Sequence, residues 1–273
     1  MRWLQDITLG NYLPIDSTVH NLDPRFKIAS MAVLMGATFL LSSLLSVALH
    51  TMAVLAVVRL SKIPLKYFLR SLRFFFWLFL FTAVLHLFFT SGTPITDDPL
   101  FGFITITYEG IHRGGVVSWR LLVVVGLSAL LTHTTTPLEI TRGMETILSP
   151  LEKLRFPVQD FALMMMIAIR FIPVLFDETQ KVWKAQKARG ADFSRGGPKR
   201  RANTLLSVLL PVFTGIFRRA DDLAIALESR GYVPGRKRTS MKVLIWTARE
   251  TSATVAVLIW IIAVGVGQVL LGS

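Results

Sequence analysis

KAQKARGADF (residues 184–193) and ALESRGY (residues 226–232) each place an arginine directly before a glycine, at the end of a helical pattern. Glycine just beyond a helix is the commonest C-terminal cap, because it adopts the left-handed conformation without steric cost. A cation at the same end complements the helix dipole. The two stretches therefore predict two helices that end at Arg189 and Arg230.

Capping alone explains either Arg-Gly pair, but two copies in one chain also favour a second interpretation. Each helix would present its arginine as a tip that inserts into a socket on another protein. Arginine suits this role because its planar guanidinium carries five donors and binds several carbonyls or a carboxylate at once. The candidate docking residues are Ala188, Arg189, Gly190, Ser229, Arg230 and Gly231.

The helices that lead to these tips are predicted over residues 161–189 and 203–230. Each would be roughly 40 Å long at 1.5 Å per residue. In the second helix, Leu209, Phe213 and Ile216 recur every three or four residues, which is the pattern of an amphipathic helix. The link of 13 residues between the helices is long enough for a reversal and favours crossed or antiparallel packing, so the two tips should point in opposite directions and suit two separate sockets.

The composition is that of a membrane protein. Apolar residues make up 52% of the 273 residues, and the mean hydropathy of +0.55 lies outside the range of soluble domains. The chain has no cysteine, which excludes disulfides, thiolate metal sites and a cysteine nucleophile. We therefore expect helices that cross a bilayer.

The net charge of +13 is concentrated in two parts of the chain. Residues 59–73 carry five basic residues and no acidic one, and residues 134–252 carry 20 basic and 11 acidic residues. Residues 91–117, which lie between them, have a net charge of −2. Such alternation is expected of a membrane protein whose basic segments stay in the cytoplasm. It disfavours nucleic acid as a partner and indicates the lipid bilayer instead.

Five membrane helices are predicted, with the amino terminus in the cytoplasm and the carboxyl terminus outside. The 31 uncharged residues between Lys27 and Arg59 are too many for one upright span, and a hairpin there puts both basic segments on the cytoplasmic side. Asp23 and Pro24 suit the cap and the first position of the first helix. The predicted spans cover residues 28–43, 46–60, 74–90, 116–133 and 246–271.

Residues 134–245 are predicted to form a cytoplasmic module between the helices of residues 1–133 and the last helix in residues 246–273. Its two apolar stretches, FALMMMIAI (161–169) and ANTLLSVLLPVFTGIF (202–217), are bounded by cations and are too short for a comfortable crossing, although a tilted span stays open for the second. Helices that grade from apolar into charged residues lie along an interface more often than they cross. The predicted fold class is an all-α integral membrane protein with about five spans and two long, crossed cytoplasmic helices.

The sequence contains no motif for binding ATP or a metal ion. GADFSRGGPK (190–199) lacks the Gly-Lys-Ser/Thr order of a phosphate loop, because Pro198 separates Gly197 from Lys199. The five histidines are scattered, without an i, i+4 pair or an HExxH motif. We therefore expect a non-catalytic chain that binds no cofactor and no metal.

Two other function classes stay open at this stage. A membrane-embedded lipid-modifying enzyme would need clustered acids beside its basic cytoplasmic face, and the pairs Asp177-Glu178 and Asp221-Asp222 are the best candidates. Neighbouring lysines and arginines make ion pairing the simpler role for these acids. A secondary transporter would need acidic residues within its spans, and the predicted spans contain only Glu250, close to the start of the last one.

Four stretches of the sequence resemble the motifs of a known family. They are HNLDPRFK (20–27), TTTPLEI (134–140), RFIPVLFDETQKVWKAQKARGADF (170–193) and ALESRGY (226–232). Together they resemble the transmembrane T component of energy-coupling factor (ECF) transporters, which import vitamins and metal ions. One departure is Ser229 where many relatives have alanine, and the family's variable first position of that motif tolerates it.

The resemblance implies a division of labour among several proteins. In this family two coupling helices end in x-Arg-Gly motifs whose arginines insert into grooves of two ABC-type ATPases, and Arg189 and Arg230 match those positions. A separate S component binds the substrate. The chain would then link ATP hydrolysis by its partners to uptake of a vitamin or other micronutrient across the cell membrane of a prokaryote.

The resemblance also implies an apolar face of the coupling helices that holds the S component. The Met-rich stretch 161–169 suits such a face because flexible thioethers repack against different partners, although ordinary core packing explains it equally well. The residues expected on this face are Met164, Met165, Ala168, Phe171, Leu209 and Phe213.

Overall fold

The protein is built from α-helices. The computed structural model describes residues 12–41, 43–93, 107–191, 197–236 and 246–271, and these contain no β-strand. The helices are α1 (Pro24–Leu40), α2 (Leu44–Leu60), α3 (Leu65–Phe74), α4 (Phe76–Phe89), α5 (Tyr108–Thr134), α6 (Pro137–Leu148), α7 (Val158–Ala188), α8 (Pro198–Ser229) and α9 (Ala248–Leu271), with a 3-10 helix at Ser149–Leu154. The predicted all-α class is confirmed.

The chain divides into two compact units. One unit comprises residues 1–144 together with residues 242–273, and it contains α1 to α5 and α9. The other comprises residues 145–241 and contains α7 and α8. The boundary falls within α6, so the two long helices form a unit of their own.

Three helices among the described residues are long and apolar enough to cross a membrane, namely α5, α7 and α9. The pair α3 and α4 makes a fourth candidate if it is taken as one span, bent by 53° at Phe75. α1 and α2 each have 17 residues, which is the lower limit for a crossing, and they are separate helices as the predicted hairpin requires. The fold is therefore that of a membrane protein with three to four candidate spans.

α7 is longer in its apolar part than the sequence predicts. The predicted helix of residues 161–189 is found at Val158–Ala188, but its apolar stretch is expected to be too short for a comfortable crossing, whereas α7 is a candidate membrane span. A single charged residue costs a long helix little, because the flanking apolar residues keep the mean hydropathy high. α7 thus has the length and composition of a span, and most of its charged residues lie in its second half.

The first helix begins as the sequence predicts, although four residues earlier than residue 28. Pro24 occupies the first helical position, and the Asp23 side chain accepts a hydrogen bond of 2.8 Å from the backbone N–H of Arg25. Lys27 is buried, and its ammonium donates to the carbonyls of His20 at 2.7 Å and Thr134 at 3.1 Å. The hydrogen bond from Lys27 to Thr134 therefore links the start of α1 to the end of α5.

His20 lies close to Lys27 and is also partly buried. Its Nε2–H donates to the Leu13 carbonyl at 3.1 Å, and its Nδ1 atom shares a hydrogen bond of 2.6 Å with the Ser17 hydroxyl. Partial burial, with the nearby positive charge of Lys27 as the second cause, lowers the pKa of His20 below its ordinary value. The imidazole is therefore a neutral structural group at physiological pH.

The last helix, α9, is fastened to the first two at both of its ends. The Glu250 carboxylate accepts a hydrogen bond of 3.2 Å from the backbone N–H of Asp23, which caps α1. At the other end of α9, the Gln268 side chain accepts one of 3.2 Å from the backbone N–H of Ser43, in the turn between α1 and α2. Both bonds satisfy polar groups at helix ends, where the helix itself supplies no partner.

The core of this unit lies between α1, α2, α3 and α5. Its buried side chains are Met31, Leu34, Val54, Val58, Ile63, Phe68, Val123, Leu127 and Leu130. His50 is fully buried beside them, with its Nε2 3.1 Å from the Thr38 hydroxyl and its ring tilted against Trp260. The Nε2 atom therefore has a partner, as expected of a buried polar group, whereas the Nδ1 atom has none among the described residues.

α4 and α5 pack closely because two glycines face α4. A Cβ atom at Gly110 would lie 2.9 Å from the His86 carbonyl oxygen, and one at Gly114 would lie 3.2 Å from the Ala83 carbonyl oxygen. Gly110 and Gly114 form a Gly-x-x-x-Gly pattern, which allows helix backbones to approach each other in membrane proteins. The approach of these two helices therefore depends on the absence of side chains at two positions.

Two local caps explain where the structure departs from the predicted boundaries. α5 begins at Tyr108 rather than residue 116, because the Thr107 hydroxyl accepts a hydrogen bond of 3.0 Å from the Gly110 N–H. α6 was not predicted, yet Thr136 and Glu139 form a reciprocal capping box at its start. Both caps are sequence signals that hydropathy alone does not reveal.

Candidate functional site

The candidate site is formed by α7 and α8, which contain 31 and 32 residues. At 1.5 Å per residue each is about 46 to 48 Å long. Arg219 on α8 forms an ion pair with Glu178 on α7, with its Nε and Nη2 at 2.8 Å and 2.7 Å from the Glu178 Oε2 atom. A Cβ atom at Gly215 would lie 2.7 Å from Glu178 Oε1, so the carboxylate occupies the space that this glycine leaves open.

A second polar contact fixes the relative direction of the two helices. Asp160, near the start of α7, accepts hydrogen bonds from the Tyr232 hydroxyl at 3.2 Å and the Gly235 N–H at 2.8 Å, just beyond the end of α8. Moving from Glu178 back to Asp160 on α7 therefore corresponds to moving forward from Arg219 to Tyr232. The chains of α7 and α8 run in opposite directions.

Apolar side chains are buried along one side of each helix. Val158, Ala162 and Ile169 are buried on α7, and their spacing of four and seven residues places them on one side of the helix. Val208 and Val212, one turn apart, are buried on α8. Each helix therefore has a narrow buried apolar seam and leaves most of its circumference uncovered.

The end of α7 is a Schellman motif. Arg189 is the capping residue, and Gly190 follows with φ of +87° in the left-handed region. The Gly190 N–H donates to the Lys187 carbonyl at 3.0 Å, and the Ala191 N–H donates to the Gln186 carbonyl at 3.0 Å. These are the two hydrogen bonds that define the motif.

The end of α8 repeats this geometry bond for bond. Arg230 is the capping residue, and Gly231 follows with φ of +72°. The Gly231 N–H donates to the Glu228 carbonyl at 2.9 Å, and the Tyr232 N–H donates to the Leu227 carbonyl at 3.0 Å. The chain thus presents an arginine at the same position of the same cap twice, which is the arrangement that the Arg-Gly pairs predict.

Both capping arginines are exposed. Among the described residues, neither Arg189 nor Arg230 has an ion pair or a side-chain hydrogen bond. The flanking docking candidates Ala188, Gly190, Ser229 and Gly231 are exposed as well. Each guanidinium therefore keeps all five donors for solvent or for another protein.

The two tips lie far apart because the helices are antiparallel. Arg189 is 11 residues beyond Glu178 and Arg230 is 11 residues beyond Arg219, so each tip lies about 16 Å from the ion pair. Since the two directions are opposed, the tips are separated by roughly 30 Å. One small binding site cannot contact both arginines at once.

The apolar candidates form exposed stripes next to the seam. Met164 is 58% exposed and Phe213 is 53% exposed, Met165, Ala168 and Leu209 are exposed too, and Phe171 is half-buried. The sequence left core packing open as an explanation for the methionines, and their exposure does not favour it. An exposed apolar stripe formed by several large side chains indicates contact with lipid or with another protein.

The acidic pairs do not form a catalytic cluster. Glu178 is bound by Arg219 of the opposite helix, which agrees with ion pairing as the simpler role, and Asp177, Asp221 and Asp222 are exposed. Among the described residues, no three His, Cys, Asp or Glu side chains are placed to hold a metal ion.

Sequence reasoning missed the residues that hold the second cap in place. Asp160, Tyr232 and Gly235 meet across 72 to 75 residues of sequence, beside an open cavity of about 250 Å³ that Arg155 and Arg236 also line. Gly235 has φ of +75°, and the Pro234-Gly235 pair is a turn signal that predicts a reversal of the chain here. The partner of that turn could not be predicted from local sequence.

Comparison with known proteins gives consistent matches over nearly the whole chain. A family model described as "CbiQ: Cobalt transport protein" matches residues 16–241. The chain is 40% identical over 256 residues to the "Energy-coupling factor transporter transmembrane protein EcfT" of Bacillus subtilis (strain 168), with 94% of this chain and 96% of that protein covered.

Two further relatives carry the same description. The protein of Heliobacterium modesticaldum is 41% identical over 255 residues, which covers 93% of this chain and 94% of that protein. The protein of Thermanaerovibrio acidaminovorans is 44% identical over 246 residues, which covers 90% of each. The similarity therefore includes both units and both capped helices.

Proposed function

Since the chain belongs to the family of transmembrane T components of energy-coupling factor transporters, we propose that it couples two ABC-type ATPases to a substrate-binding S component. The ATPases would hydrolyse ATP, and the S component would bind a vitamin or another micronutrient. This chain would transmit the motion and bind no cofactor itself. The observation that carries the proposal is the repetition of one arginine-bearing cap at the ends of two paired helices.

Each capping arginine is suited to enter a groove of one ATPase. The Schellman motif ends the helix at the arginine, so the guanidinium extends from a rigid end instead of from a flexible loop. A rigid anchor loses little conformational entropy on binding, and arginine is among the residues that most often dominate interface energies. The separation of roughly 30 Å between tips fits two subunits better than one.

The exposed apolar stripe is proposed to hold the S component. Met164, Met165 and Ala168 lie along one side of α7, and Leu209 and Phe213 lie on α8. Methionine side chains adapt their shape without losing contact, which suits a surface that must stay attached while its partner reorients. Phe171 is half-buried, lies next to Met164 around the helix and belongs to the same proposed face.

We propose that α7 and α8 pivot about the ion pair between Glu178 and Arg219. It lies about 16 Å from either tip, so a movement of the tips toward each other changes the angle between α7 and α8 at this contact. The missing side chain at Gly215 lets the carboxylate remain in place while the angle changes. A change in the angle between α7 and α8 would then shift the apolar stripes that contact the S component.

Charge supports an orientation with both basic segments in the cytoplasm. Residues 59–73 carry five cations without an acid, and the unit that contains the two tips is also rich in cations. Cytoplasmic placement of such segments is the rule for membrane proteins, and it puts the tips where ATP is available. We therefore propose a prokaryotic cell-membrane protein with a cytoplasmic amino terminus.

Purification of the intact complex tests this function. The tagged full chain is extracted from its native membrane in a mild detergent, and its companions are identified and counted by mass spectrometry. We expect two ATPase chains with phosphate loops and one small membrane protein for each copy of this chain, and ATP-driven substrate uptake after reconstitution in proteoliposomes. If cells that actively take up the substrate yield this chain without any ATPase companion, the proposal is contradicted.

A further inference from the structure

The first inference concerns α3, whose basic residues lie on one side. Lys66, Arg70 and Arg73 follow one another at i, i+4 and i+7, which places them within about 60° of each other around the helix. All three are exposed. Phe68 lies on the opposite side, buried in the core against Gly126. The protein therefore covers one side of α3 and leaves the basic side facing outward.

The charge of this surface is not neutralised by the protein. Arg59 and Lys62 precede the helix and bring the number of cations to five, and the sequence has no acidic residue between Asp23 and Asp97. Among the described residues, none of the five cations has an ion pair. We call Arg59, Lys62, Lys66, Arg70 and Arg73 the α3 basic stripe. Five adjacent unpaired cations favour an anionic partner.

Apolar residues beside the stripe indicate that this partner is a membrane surface. Leu65 and Leu69 are exposed along one flank, and Tyr67 and Phe74 along the other, with Phe74 83% exposed. Basic side chains flanked by exposed aliphatic and aromatic residues are typical of a helix that lies in the headgroup region. An acidic protein surface would explain the cations but would not need this apolar border.

The bend at Phe75 gives α3 the direction that such a location needs. α4 is apolar on every side, none of its residues is buried, and it makes an angle of 53° with α3. If α4 crosses the bilayer, α3 must turn away from the crossing direction and toward the plane of the membrane. We propose that the α3 basic stripe binds the phosphate headgroups of anionic phospholipids in the cytoplasmic leaflet.

The test measures lipid preference with the full chain in a neutral detergent. Short-chain phosphatidylglycerol is the probe, and phosphatidylcholine of the same chain length is its neutral counterpart. We expect binding of phosphatidylglycerol to be at least tenfold tighter and to weaken as salt is added, because the interaction is electrostatic. Replacing Lys66, Arg70 and Arg73 together with glutamine should remove most of this preference.

A matched variant separates a specific surface from total charge. Lys199, Arg200 and Arg201 form another exposed cluster of three cations, at the start of α8, and their replacement by glutamine should leave the preference intact. Equal losses in the two triple variants would overturn the proposal, as would competition by inorganic phosphate at similar concentrations. An unchanged lipid preference with impaired ATPase capture in the α3 variant would assign the stripe to a protein partner and also overturn it.

The second inference concerns Asp160, and it rests on the proposed function of Arg230. Tyr232 takes part in two structures at once: its backbone N–H closes the cap of α8, and its hydroxyl donates to Asp160 at the start of α7. The N–H of Gly235 donates to the other carboxylate oxygen. The chain that follows Arg230 is thus bound to a second helix through one carboxylate.

The two caps differ in this respect. At the position equivalent to Tyr232, the cap of α7 has Ala191, whose methyl group cannot form a hydrogen bond. The chain just beyond Arg230 is therefore attached to α7 by a side-chain hydrogen bond, which Ala191 at the equivalent position beyond Arg189 cannot form. We infer that Asp160 is a positioning residue that holds Arg230 in the direction needed for ATPase docking.

A double-mutant cycle distinguishes positioning from general stability. Binding of purified ATPases to the full chain is measured for Asp160→Ala alone and in combination with Arg230→Ala or Arg189→Ala. We expect Asp160→Ala to weaken binding about tenfold, to add little to Arg230→Ala because the tip is already lost, and to weaken Arg189→Ala by the full factor. Tyr232→Phe should behave in the same way with a smaller factor.

Each failure has a separate meaning. Equal losses on both arginine backgrounds would indicate a general loss of structure and overturn the positioning role, and so would an absence of any loss. If Arg230→Ala itself left binding unchanged, the proposed docking function would fail first. Thermal unfolding midpoints of the single variants establish that the protein compared in each case is folded.

Discussion

Simultaneous replacement of Arg189 and Arg230 by alanine is expected to abolish ATP-driven uptake. Each arginine is exposed at a rigid helix end and has no partner among the described residues, so its donors are free for an ATPase groove. A buried interface arginine typically contributes about 2 kcal/mol or more, which corresponds to a loss of roughly 30-fold in affinity for each single variant. The double variant should lose both ATPases.

The measurement compares ATPase binding in detergent with uptake in proteoliposomes. Arg218→Ala is the matched control, because Arg218 is also an exposed arginine on α8 but does not cap the helix. It should bind ATPase normally. Arg→Lys variants at the two caps should recover only part of the affinity, since an ammonium lacks the planar arrangement of donors. Full uptake by the double alanine variant would refute docking through these residues.

Gly114→Leu is expected to destabilise the membrane unit, whereas the same change at Gly115 is not. A Cβ atom at Gly114 would meet the Ala83 carbonyl oxygen at 3.2 Å and the His86 Cβ at 3.3 Å, both on α4. At Gly115 a Cβ atom meets nothing within 4 Å. Overpacking of a close helix contact typically costs about 1 to 3 kcal/mol, because backbones must move apart.

Adjacent glycines make this comparison unusually well controlled. Both variants add the same side chain to the same helix, so helix propensity and hydropathy change equally. We expect a lower unfolding midpoint in detergent for Gly114→Leu, and a midpoint near that of the parent protein for Gly115→Leu. Comparable midpoints for the two variants would mean that α4 and α5 do not approach each other as closely as these distances require.

The ends of the two long helices are well predicted by sequence because their signals are local. The Arg-Gly pairs predict helix ends at Arg189 and Arg230, and the helices end one residue earlier, with each arginine as the cap. The Asp23-Pro24 start of α1 is equally local. Caps of this kind depend on neighbouring residues only, so one sequence contains all the information needed.

Elements that depend on distant contacts are harder to predict. α3 is not among the predicted helices because its cations make residues 59–73 resemble a loop, although their spacing of four and three residues is helical. The contact of Asp160 with Tyr232 joins residues 72 positions apart, and no local pattern identifies the partner. The length of α7 shows the limit of judging a span from one charged residue, since Arg170 lies within the helix.

The bond between Glu250 and Asp23 has a consequence for how the chain is made. These residues are 227 positions apart, and the bond between Gln268 and Ser43 spans 225. The first hairpin is therefore synthesised long before α9, and two of its backbone N–H groups gain their acceptors only when α9 has been made. Assembly of this unit can be completed only after α9 has been translated, so the starts of α1 and α2 lack these two hydrogen bonds until then.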